Sequence, residues 1–236
     1  MKDISSTASF VDFTLENFIY VDKTEYIPKL VKLKRVFISR PRRFGKSLTL
    51  DTIATLFETG VEPYFKGTWI YDKWTEPTYP VLRLNFLNFD KNSLEKFNNK
   101  LNSKITEFAE LNHVTTFKEK EEAEDSIDHL LEQLRLENRQ IVILIDEYDC
   151  QMTANINNET LYKQFQEKIK SFYANIKDKL AIKFLGITGV TRLKDVEIFS
   201  IGSDIKDITN YSPYSQMIGF TRDEIKKYCY ERDHVK

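Results

Sequence analysis

Ser39-Arg-Pro-Arg-Arg-Phe-Gly-Lys-Ser47 decides the fold. The β-rich run Arg35-Val-Phe-Ile-Ser39 leads into it. A helical pattern from Lys46 to Glu58 leaves it, with Leu48, Ile53, Ala54 and Phe57 on one side and Gly60 as the stop. A strand, a polar loop and a helix N-terminus in that order make an anion site. The first turn of a helix has unpaired N–H groups and a partial positive charge. Gly45 lets the backbone approach phosphate oxygens, Lys46 has the reach for β- and γ-phosphates, and the Ser47 hydroxyl suits Mg2+. The candidate phosphate-binding set is Arg42, Arg43, Phe44, Gly45, Lys46, Ser47 and Leu48. The pattern G-x-x-x-x-G-K-[ST] is incomplete, because its first glycine falls on Arg40. The plainer alternative for this stretch is a surface loop with a basic cluster.

A second stretch supports the first. Ile141-Val-Ile-Leu-Ile-Asp-Glu-Tyr-Asp149 is an unbroken β-branched run ending in adjacent carboxylates. Such a run fits a strand buried on both faces, and ligands of open α/β sheets bind at the C-terminal ends of strands. Asp146 is the candidate for supporting Mg2+ beside Ser47, and Glu147 for activating a water. Read alone, the pair is also compatible with a solvated turn or helix cap. The run Ala181-Ile-Lys-Phe-Leu-Gly-Ile-Thr188 predicts another strand, with Gly189-Val-Thr-Arg192 after it. Thr188 is a candidate for holding the water or the γ-phosphate, and Arg192 for adding positive charge, within one site or across a subunit contact. An ordinary strand-end hydroxyl and a surface salt bridge are the competing readings.

The remaining pattern alternates strands and helices. Val81 to Phe86 reads as a strand. Asn92-Ser-Leu-Glu95 reads as a capping box opening a helix through Leu94, Phe97, Leu101, Ile105 and Phe108. After the charged stretch Lys118 to Asp125, a helix carries Ile127, Leu130, Leu131 and Leu134, with Asn138 as its stop. A long amphipathic helix spans Leu161 to Leu180. Thr221-Arg-Asp-Glu224 forms a second capping box, opening a helix to Lys236 with no stop signal. Strands joined by helical crossovers predict an α/β fold with a mainly parallel sheet and helices on both faces.

Composition narrows the function classes. Lys plus Arg is 35 against 36 Asp plus Glu, a net charge of −1, so no global field draws the chain to nucleic acid or membrane. Two cysteines, Cys150 and Cys229, make no disulfide framework, and the three histidines lack metal-ligand spacing. No apolar run reaches the length of a membrane span, and the N-terminus lacks a signal-peptide core. These features predict a cytoplasmic chain without membrane contact.

The quoted motifs together resemble the AAA-ATPase-like family of P-loop proteins, whose members often carry a C-terminal nuclease-like domain of the PD-(D/E)xK type. Tyr20-Val-Asp-Lys-Thr24 is similar to its upstream segment. Ser39 to Ser47 is similar to its P-loop, including the missing first glycine, and Leu144-Ile-Asp-Glu-Tyr-Asp149 to its Mg2+ and water-activating strand. Gly189 to Arg192 with Ile198-Phe-Ser200, and Gly219-Phe-Thr221 with Glu224, are similar to its later landmarks. The resemblance implies a three-layer P-loop NTPase sandwich of the additional-strand (ASCE) type, with the Thr188 strand between the P-loop strand and the Asp-Glu strand. It implies a P-loop ATPase-like domain over residues 1–220 and the cut-short start of a helical segment over 221–236. ATP and Mg2+ are the implied cofactors. Hydrolysis is the expected activity, with a nucleotide-dependent switch or assembly module of little turnover as the alternative. A homo-oligomer is compatible with it, and nucleic acid enters only by analogy to nuclease-bearing relatives. Glu224-Ile-Lys226 matches a nuclease Glu-x-Lys, but the capping box accounts for Glu224. Asp22, Lys23 and Tyr26 are candidates for base or ribose contact, against a reading of Tyr26 and Ile27 as core. Phe65, Trp69, Tyr71 and Trp74 read as packing residues.

Overall fold

The run Ile141–Asp146 forms a strand, β3, buried at all six positions, as its β-branched composition requires. The structure, a computed structural model, describes residues 5, 7–16, 18–191 and 204–230. Strand β1 is Arg35–Ser39, β2 is Val81–Asn85, β4 is Ile182–Gly189 and β5 is Lys206–Asp207. Their order in the sheet is β2-β3-β4-β1-β5, every pairing parallel. The strand carrying Thr188 therefore lies between the P-loop strand and the Asp-Glu strand. The register sets Ile38 beside Thr188, Ser39 beside Gly189, and Asn85 beside Asp146, which gathers the chemical residues at one edge.

Side chains alternate across the sheet. Ile141, Ile143 and Ile145 face one core with the helices α4 (Leu94–Leu111), α5 (Ala123–Leu136) and α7 (Glu159–Ile176), through Phe97, Leu101, Leu130 and Phe165. Val142 and Leu144 face a second core with α2 (Ile27–Leu33) and α3 (Lys46–Thr59), through Leu30, Ile53 and Phe57. The result is a three-layer α/β sandwich. No described helix is long and apolar enough to cross a membrane.

Local chemistry moved several boundaries. Helix α4 is capped by Ser93, whose Oγ accepts the Lys96 N–H at 3.2 Å, and not by Asn92. Asp90 Oδ1 accepts the N–H groups of Asn92 and Ser93 at 2.8 and 2.7 Å, folding Asn92 into the preceding turn. Helix α7 starts two residues before Leu161 because Asn158 caps it, and ends at Ile176. Helix α5 reaches back into the charged stretch, to Ala123. Gly60 (φ 73°) and Asn138 (φ 53°) stop their helices as their left-handed tendency predicts. The Thr221–Glu224 capping box is formed, but its helix is short, Arg222–Ile225, and continues as a π-helical turn through Tyr230. A helix at Phe10–Leu15, α1, had no clear periodic signal; its Phe10 N–H donates to Asp51 Oδ2 of α3 at 2.6 Å.

Gly186 controls how closely α3 lies on the sheet. A Cβ there would stand 2.9 Å from Leu144 Cδ2 and 3.4 Å from Leu50 Cδ2 of α3. Gly186→Ala is therefore expected to cost about 1–3 kcal/mol by overpacking. Urea unfolding should show a lower midpoint at unchanged slope; an unchanged midpoint would mean that α3 has room to spare.

Candidate functional site

Residues 40–45 connect β1 to α3, and two of them, Arg43 (φ 66°) and Gly45 (φ 90°), take left-handed backbone conformations. Alternating conformations of this kind turn successive N–H groups toward one concave side. The first turn of α3 adds the N–H groups of Lys46, Ser47 and Leu48. The Lys46 side chain is only 3% exposed. Its Nζ donates to the carbonyls of Arg40 and Pro41 at 3.1 and 3.3 Å and stands 3.5 Å from Glu147 Oε1.

The carboxylates come from the other side of β4. Asp146 is 6% exposed and accepts a hydroxyl on each oxygen. Ser47 Oγ donates to its Oδ2 at 2.5 Å, and Thr188 Oγ1 donates to its Oδ1. Glu147 follows in a left-handed conformation (φ 52°), its side chain toward Lys46. Lys46, Ser47, Asp146, Glu147 and Thr188 therefore form one constellation. A family model described as a predicted AAA-ATPase matches residues 5–199.

The chain belongs to this AAA-ATPase-like family. Its sequence is 32% identical over 219 residues to an uncharacterized protein in the vnfD 5' region of Azotobacter chroococcum mcd 1, covering 89% of this chain and 41% of that protein. The chain thus spans about two fifths of that relative's length. No solved structure matches it. The family's description carries nucleotide use as its expected property.

Within this family member, the other sequence candidates fall in different places. Arg42, Arg43 and Phe44 are exposed on the loop, and the Phe44 ring lies against Gly219. Leu48 turns its side chain into the α3 core, leaving its backbone N–H as its contribution at the loop. Arg192, like Ile198 to Ser200, lies outside the described residues. Asp22 is engaged by the N–H groups of Thr24 and Trp69 at 2.8 and 2.5 Å, Lys23 by Glu224 at 2.5 Å, and Tyr26 is packed against Tyr214. All three thus have partners within the chain, as the core reading of Tyr26 expects. Trp74 packs on Phe57, whereas Trp69 is exposed with Lys73 Nζ 4.6 Å from its ring. Burial pushes the Cys150 thiol up, away from nucleophilic chemistry.

Among the described residues, no cluster of three or more His, Cys, Asp or Glu forms a metal site. Mg2+ asks for less: it keeps waters and substrate oxygens and takes one or two protein oxygens. The Ser47 hydroxyl beside the Asp146 carboxylate fits that demand in donor type and number.

Two side-chain contacts escaped the sequence reading. Arg40, at the missing glycine, has the extended backbone that its place before Pro41 predicts, and its N–H donates to Gly189 O at 3.2 Å. Its guanidinium donates to the carbonyls of Ser39 and Thr209 at 3.0 and 2.5 Å, tying the loop to the chain after β5. Burial lowers its pKa, with Asp207 opposing the shift. Asp149 turns its carboxylate to the chain leaving β4. No local signal marks either contact. Arg40→Ala is expected to destabilise by about 1–3 kcal/mol, since it removes charged hydrogen bonds to two carbonyls. Thermal and urea unfolding would report it, and wild-type stability would show the tether to be idle.

Proposed function

We propose that this chain binds ATP at the N-terminus of α3 and hydrolyses it with Mg2+. The observation that carries the reading is the meeting of Ser47 and Asp146, 99 residues apart, at 2.5 Å, with Lys46 and Glu147 beside them. The triphosphate tail lies on the N–H groups of residues 44–48. Lys46 exchanges the Arg40 and Pro41 carbonyls and the Glu147 carboxylate for phosphate oxygens, stronger partners for a buried ammonium. Ser47 and Asp146 hold Mg2+, which supplies charge neutralisation along the phosphates. Glu147, released from Lys46, takes a proton from the water that attacks the γ-phosphorus. The Thr188 hydroxyl, whose proton goes to Asp146, keeps lone pairs to accept from that water.

A regulatory reading is favoured by one observation. Lys46 stands 3.5 Å from Glu147, a contact that phosphate oxygens on Lys46 would replace, and that exchange would give the site two arrangements. Single-turnover hydrolysis with retained ADP would support that reading over continuous turnover.

Lys46→Ala is expected to abolish measurable ATP binding in calorimetry. Glu147→Gln should keep binding and lose turnover by about 100-fold or more, the usual weight of a general base. Glu147→Gln hydrolysing at the wild-type rate would refute the assignment.

A further inference from the structure

We propose that Asp149 is a positioning residue that, together with Tyr148, clamps the exit of β4 and thereby fixes the backbone from which the Glu147 side chain reaches the β1–α3 loop. The proposal rests on the reading of Glu147 as the water-activating carboxylate. An Asp directly before a helix is ordinarily its N-cap. Asp149 precedes the short helix α6 (Cys150–Ala154), yet its side chain makes no capping hydrogen bond there. The carboxylate is 1% exposed and aimed across at the neighbouring strand end. It accepts the Val190 N–H on both oxygens at 3.2 Å and the Thr191 N–H at 2.6 Å. A buried carboxylate needs such donors to offset the loss of water.

Tyr148 laces the same two turns. Its N–H donates to Thr188 O at 3.1 Å and its hydroxyl to Thr191 O at 3.2 Å. Its ring covers Gly189, where a Cβ would come within 2.4 Å of Tyr148 Cδ1 and 2.8 Å of Asp149 Oδ1. On the other flank of Glu147, Asp146 is held by the Ser47 and Thr188 hydroxyls. Thr188 is thus bound through its hydroxyl to the residue before Glu147 and through its carbonyl to the residue after it. Glu147 sits between, at φ 52°, a conformation that a residue with a side chain keeps only when its neighbours fix it. The clamp acts on the reaction through Glu147, since the Tyr148 and Asp149 side chains are bonded to residues 190 and 191.

Asp149→Asn tests this. The amide is nearly isosteric but presents N–H where an acceptor is needed. The expected result is a kcat loss of about 10- to 100-fold, the usual weight of a supporting partner, with KM and calorimetric affinity for ATP unchanged. Amide hydrogen exchange at Val190 and Thr191 should accelerate. Gly189→Ala attacks the clamp from the opposite turn and Tyr148→Phe removes one of its bonds; both should lower kcat in the same sense, and the double variant of Asp149 and Gly189 should be no slower than the worse single. Leu101→Ala, in the buried face of α4, lowers stability without touching the site and should keep wild-type kcat below its unfolding temperature. Wild-type kcat in Asp149→Asn overturns the clamp and leaves the ATPase reading intact. Loss of kcat without faster exchange at Val190 and Thr191, or a fall in ATP affinity parallel to that of Lys46→Ala, also overturns it. A wild-type chain that binds ATP without hydrolysing it removes the role of Glu147 and the clamp together.

Discussion

The site depends on how closely α3 approaches β4. Because β4 separates β1 from β3, the strand that leads into the Lys46–Ser47 loop and the strand that carries the carboxylates stand about 10 Å apart, two strand spacings. A side chain as short as serine closes that gap only if its helix leans across the middle strand. Gly186 allows the lean, since Leu50 of α3 and Leu144 of β3 come together over the place where a side chain would stand. The apolar side of α3, with Ile53, Ala54 and Phe57, completes the packing onto Val142, Leu144 and Phe184. The 2.5 Å contact between Ser47 and Asp146 is thus a product of core packing several residues away.

Charge explains the rest of the arrangement. An ammonium as buried as that of Lys46 is tolerated only with close acceptors, and two loop carbonyls and Glu147 supply them. Asp146 is nearly as buried, but its partners are two hydroxyls and the Glu147 N–H, not cations. Hydroxyls can be given up or reoriented at less loss than an ion pair, which suits a residue expected to share its oxygens with Mg2+. Glu147 is the most exposed of the three, which gives its side chain access to water, and the only one with a left-handed backbone, which its bonded neighbours hold in place.

The sequence made the architecture legible wherever the signal was periodic or local. The β-branched run at 141–145, the helix after Ser47, the stops at Gly60 and Asn138 and the capping box at Thr221 each rest on residues a few positions apart. Where two local signals competed, the closer geometry won: Asp90 captured the N–H of Asn92, which left Ser93 to cap α4. The two-residue β5 is too short to show a period. In the site, Lys46, Ser47 and Asp146 follow from their motifs. Asp149 does not, because the N–H groups it accepts lie 41 and 42 residues downstream, beyond any local pattern. Arg40 escaped for the same reason, its partner being 169 residues away.

Those distant partners share a direction. The Ser39 N–H donates to the Thr209 hydroxyl oxygen, Arg40 donates to the Thr209 carbonyl, Phe44 rests on Gly219, and Lys23 pairs with Glu224. The chain after β5 is therefore bonded to the start of the phosphate loop, touches it again just before Gly45, and is fastened to the N-terminal segment beyond. A loop held at Arg40 by strand-like and guanidinium bonds cannot shift its carbonyl without disturbing Thr209, and that carbonyl is one of the two to which Lys46 donates. The residue that replaces the first glycine thus serves two masters, the lysine through its backbone and the C-terminal segment through its side chain. A glycine there could supply only the first.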